Sequence, residues 1–247
     1  MKLRHFFIGL DSDDFLIKNP PGSEFPYSVK PIVSDFSFLT HYFGDYMSRS
    51  IRKLSFDTND FNALVIRGRK EPRGTILKSH FKSLNLEVYF NEKLFKDLYP
   101  FKNDYPIGGL LHPVIKQTEF SEFLHNLCYE GINNYSDEKF RIPKKELLES
   151  FEEFKGIGFI NEWIHKRKGL TGTGLTAYLV CSLTANSFKL KLSLKDKIKQ
   201  EIFAETILET LPSSNHYHNE FKDIKFKNQE IIVTKRDGDE LFRMNLG

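Results

Sequence analysis

Lys166-Arg167-Lys168-Gly169-Leu170-Thr171-Gly172-Thr173-Gly174-Leu175-Thr176 sets three consecutive cations beside glycines interleaved with threonines. Exposed backbone N–H groups, hydroxyls and cations are the parts of an anion or phosphate cradle. Their order does not fit a nucleotide. A phosphate loop ends Gly-Lys-Ser/Thr at the start of a helix. Here Leu175 follows Gly174, and the run Thr176 to Leu183 is rich in strand-forming side chains. The glycine order also fails the dinucleotide fingerprint. The segment is therefore expected to be a glycine-relaxed connection between two strands. Lys166, Arg167 and Lys168 form its anion-friendly, partner-facing rim.

His216-Tyr217-His218 places two imidazoles two residues apart, with Glu220 and Asp223 following. On a strand, two such histidines share a face and would offer two metal ligands. The preceding Pro212-Ser213-Ser214-Asn215 is loop chemistry, and a solvated pair is the expectation. Asp223-Ile224-Lys225 has the acid-x-Lys spacing of metal-dependent nucleases on a plausible strand. Asp223, Lys225, His216 and His218 are thus the residues of an alternative reading, an enzyme acting on nucleic acid or nucleotides. Glu153-x-Lys155 has the same spacing but ends a helix.

A second basic group, Arg67, Arg69, Lys70 and Arg73, brackets a turn, and Arg67, Arg69 and Lys70 are further candidate partner-binding residues. Asp11-Ser12-Asp13-Asp14 begins like a calcium loop, but Phe15 and Leu16 stand where an oxygen ligand and glycine are required. No Gly-x-Ser-x-Gly elbow occurs. Cys128 and Cys181 lie in apolar runs that disfavour a reactive thiolate, and they read as free thiols of a reducing compartment. No cofactor or metal is expected.

Elements must position these groups. Met1 to Leu10 reads as an opening strand, residues 19–31 as a Pro-rich loop, and Ser34 as the cap of a helix carrying Phe36, Leu39, Phe43 and Met47. Strands are expected at 62–67 and 84–90, then a short helix capped by Asn91. Residues 100–116 form a Pro/Gly loop. A helix runs from Thr118 to Gly131, and another begins at Pro143. Strands follow at 157–164, 176–183 and 188–194, the last strictly alternating. Ile198, Ile202, Phe203, Ile207 and Leu211 predict a helix. A hairpin over 224–246 turns at Asp237-Gly238. Strand, turn, strand and helix at 63–99 and again at 176–211 form a loose echo without matching residues.

The fold class expected is α+β, with mostly antiparallel sheets and amphipathic helices packed on them. The 247 residues fit one compact unit, or two lobes, 1–135 and 136–247, if the polar run near 136–142 is a boundary. Apolar residues make up 40% of the chain and include 24 Phe, so the core should be aromatic. A net charge of +3 with 28% charged residues is too balanced to imply nucleic acid. No segment approaches a membrane span. A soluble, cytoplasmic, bacterial binding protein is expected, without catalysis of its own. Its expected form is immunity- or antitoxin-like, neutralising a partner toxin by surface complementarity.

Overall fold

The computed structural model describes residues 1–78, 81–98, 115–136 and 138–246. The chain divides into two units, Met1–Phe159 and Ile160–Gly247. The division falls after Phe159, and the polar run near 136–142 connects two helices of the first unit. The expected loop at 100–116 lies largely outside the described residues. The architecture is mixed α+β, and three of the four sheets among the described residues are antiparallel throughout.

In the first unit, β1 (His5–Leu10), β4 (Ala63–Arg69) and β6 (Ser83–Tyr89) lie parallel, and β5 (Thr75–Lys78) pairs antiparallel with β6, in the order β1-β4-β6-β5. This parallel core departs from the expected antiparallel arrangement. Parallel neighbours need a long crossover, and α1 (Pro31–Leu39) with α2 (His41–Leu54) supplies it between β1 and β4. The short β2 (Leu16–Lys18) and β3 (Tyr27–Val29) form a hairpin, so the loop expected at 19–31 contains the second of its strands. The first helix begins at Pro31 and not at Ser34; proline suits the first helical turn because its missing N–H is unneeded there.

Alternation sends Phe6, Ile8 and Leu10 of β1, with Leu64 and Ile66 of β4 and Leu84 and Leu86 of β6, to one buried face. On that face pack α2, α4 (Gln117–Asn133) and, against both helices, α5 (Lys144–Gly156). Between them the rings of Phe43, Phe151, Phe154 and Phe159 meet edge to face or tilted, and Tyr46 stacks on Phe154 at 3.8 Å between centroids. Asn91 caps α3 (Glu92–Leu98) by accepting from the Leu94 N–H at 3.0 Å. Gly131 does not end α4. It sits within the helix where the backbone crosses β6 so closely that a Cβ would lie 2.6 Å from Val88 Cγ1.

The second unit holds β7 (Asn161–Leu170), β8 (Leu175–Leu183), β9 (Phe188–Lys195) and β10 (Glu201–Thr210) as an antiparallel meander in the order β10-β9-β8-β7. Ala177, Leu179, Cys181 and Leu183 of β8 and Phe188, Leu190, Leu192 and Leu194 of β9 bury one face. The short α6 (Ser214–Tyr217) inserts Tyr217, whose ring stacks on Phe188 at 3.9 Å. A three-stranded sheet of β11 (Asp223–Lys227), β12 (Glu230–Thr234) and β13 (Glu240–Asn245) follows, and β11 lies against β7. The turn at Asp237-Gly238 is as expected, and Asn228-Gln229 (φ +53° and +61°) makes a second. The helix expected over 198–211 is instead β10. Its register with β9 shifts between Glu201 and Phe203 and again between Thr206 and Leu208, so two bulges disguise the strand period. The echo between 63–99 and 176–211 ends with it.

Candidate functional site

The Gly/Thr segment is the β7–β8 hairpin turn. Gly172 and Gly174 take φ of +85° and +73°, a region that glycine enters without strain. Thr173 donates its N–H and its hydroxyl to the Leu170 carbonyl, at 3.2 and 2.8 Å, and its hydroxyl oxygen accepts from Leu175 N–H at 3.0 Å. The threonine that would have gripped an anion is consumed in holding the turn.

The three cations beside it do not act together. The β7–β8 register shifts between Ile164 and Lys166, leaving His165 as the extra residue of a bulge. Lys166 and Lys168 then pair with Leu179 and Ala177, on the face of the buried apolar residues, while Arg167 pairs with Tyr178 on the other. Lys166 Nζ lies 3.3 Å from Asp223 Oδ1. Partial burial works against the Asp223 carboxylate, but the Ile224 N–H and Lys166 outweigh it and hold its pKa below the usual carboxylate range. A candidate partner-binding lysine and a candidate catalytic carboxylate thus satisfy each other.

The remaining residues of the nuclease reading are dispersed. His216 and His218 are exposed on either side of buried Tyr217, Glu220 pairs with Lys235 at 3.2 Å, and Lys225 is exposed. Among the described residues, no three His, Cys, Asp or Glu side chains are grouped to hold a metal.

The basic group of the first unit is also engaged from within. Asp11 follows β1, Arg67 and Arg69 end β4, and Glu87 approaches the end of β6, so the parallel strands converge their polar residues at one end of the sheet. Arg69 is only 3% exposed. Its Nη1 lies 3.1 Å from Asp11 and 3.2 Å from Glu87, and its Nη2 3.1 Å from Asp14. Arg67 Nε donates to Asn85 at 2.9 Å, and Lys70 pairs with Glu92 at 3.2 Å. Arg69 is therefore not a surface contact, as expected from the sequence, but the buried hub of an ion cluster. In open α/β sheets this end commonly receives ligands; here the protein's own ions fill it.

The outer face of β7–β10 is open in part. Across its middle runs Arg167, Tyr178, Ser193 and Ala204, with Ser193 buried and its hydroxyl donated to the Glu201 carboxylate, and beside that row runs Ile164, Val180, Lys191 and Thr206. Ile164 is 59% exposed. Arg167 forms no ion pair among the described residues, and Lys195 Nζ lies 5.6 Å from the Tyr178 ring centroid. On the same face Lys189 pairs with Glu209 at 3.2 Å and Lys191 with Glu201 at 3.6 Å. Apart from Arg167, this face is absent from the residues singled out by motif. Its signal was the second phase of the β8 alternation, Thr176, Tyr178, Val180 and Ser182, opposite the apolar phase.

No helix among the described residues is long and apolar enough to cross a membrane. Compared with protein-family models, with curated proteins and with solved structures, the chain has no match.

Proposed function

We propose that this chain is a non-catalytic binding protein that seats an acidic partner protein on the outer face of the β7–β10 sheet. The observation that carries this reading is Arg167, exposed and without a counter-ion among the described residues, set directly opposite Tyr178 on the outer face of the sheet. Tyrosine and arginine are the side chains most often found at the energetic centre of protein interfaces, ringed by contacts that exclude water. Here exposed Ile164 and half-buried Val180 supply apolar area, and the paired Lys189–Glu209 and Lys191–Glu201 supply polar contacts across β9 and β10. An unneutralised guanidinium offers two parallel N–H donors to a carboxylate. The most specific form of this role is immunity- or antitoxin-like: the sheet covers an acidic surface of a toxin and blocks it by complementarity.

The test is capture from the native host by immobilised wild-type chain and by Arg167→Glu/Tyr178→Ala, with partners identified by mass spectrometry. A stoichiometric protein retained by the wild type and lost by the variant supports the reading. It is overturned if no partner distinguishes the two and the purified chain instead cleaves nucleic acid with a divalent metal, an activity removed by Asp223→Asn.

A further inference from the structure

We draw no further inference here: the strongest candidate, the apolar surface patch that Leu16, Ile17, Phe25, Tyr27 and Val29 expose on the β2–β3 hairpin, carries nothing because nothing in the structure shows what covers it.

Discussion

Two buried polar residues carry sharply different costs. Arg69 compensates Asp11, Asp14 and Glu87, whose side chains are themselves largely buried. Removing one partner of a buried ionic group leaves uncompensated charge, at about 3–5 kcal/mol. Arg69→Met should therefore destabilise the protein by about that much in urea denaturation. Adding Glu87→Gln should recover part of the loss, because one orphaned charge is gone. Tyr42 is neutral and fully buried, its hydroxyl 2.6 Å from Ser121 Oγ. Burial pushes its pKa well above that of a free tyrosine, more than the Ser121 hydrogen bond lowers it. The unfolded chain ionises this hydroxyl near pH 10 while the folded chain keeps it protonated. Its contribution is thus fully present below pH 10 and is lost as pH rises towards the folded pKa. The slope is about 1.4 kcal/mol per pH unit. Tyr42→Phe should remove that part of the alkaline decline, measured as urea midpoints between neutral pH and pH 11. Neither role was legible from the sequence. Arg69 looked like one cation in a basic turn, because its three acids come from positions brought together only by parallel pairing.

At the scale of elements, α4 and β6 meet at a contact that admits no side chain. Gly131→Ala gains about 1 kcal/mol of helix propensity but places a methyl 2.6 Å from Val88 Cγ1. Overpacking of this kind costs about 1–3 kcal/mol, so the net effect should be a loss, measured by thermal or urea unfolding. In Val88→Ala the same substitution should be tolerated, and the coupling in that double-mutant cycle is the diagnostic quantity. At the β11–β12 turn the preference runs the other way. Gln229 holds φ +61° without being glycine, so Gln229→Gly should raise stability by about 0.5–1 kcal/mol, the left-handed strain relieved exceeding the entropy added to the unfolded chain. Strands with clean alternation, such as β9, were readable residue by residue. β10 was not: its two extra residues moved Ile202, Phe203 and Ile207 into a spacing that imitates a helix. The His165 bulge likewise hid the separation of Arg167 from Lys166 and Lys168. A bulge is set by the partner strand and leaves no signature in its own sequence.

For the whole molecule, the aromatic core and the α+β class followed from composition and period, while the parallel centre of the first sheet did not. Nothing in β1 announces which later strand lies beside it. The net charge of +3 also says little about binding, because it sums over cations such as Lys70, Lys166, Lys189 and Lys191 that carboxylates of the fold already neutralise. The useful quantity is the local excess at Arg167. Complex formation with an acidic partner should weaken as salt rises, through slower association, since exposed charges are screened over about 8–10 Å at physiological ionic strength. Arg167→Glu should weaken it further at every salt concentration, whereas Lys166→Met should change it little. Surface plasmon resonance across a salt series separates the two.

The β10 edge has a consequence for how copies of this protein meet one another. Strand β10 is ten residues long, lies at the margin of its sheet and exposes Ile202 at 53%. A margin of that length invites a second chain to add its own strand, the first step towards fibrils. Two bulges interrupt the regular run of donors and acceptors, and Glu201, Glu205 and Glu209 would face like charges on another β10. The irregularity that concealed the strand in the sequence therefore also keeps copies of the molecule from zipping together.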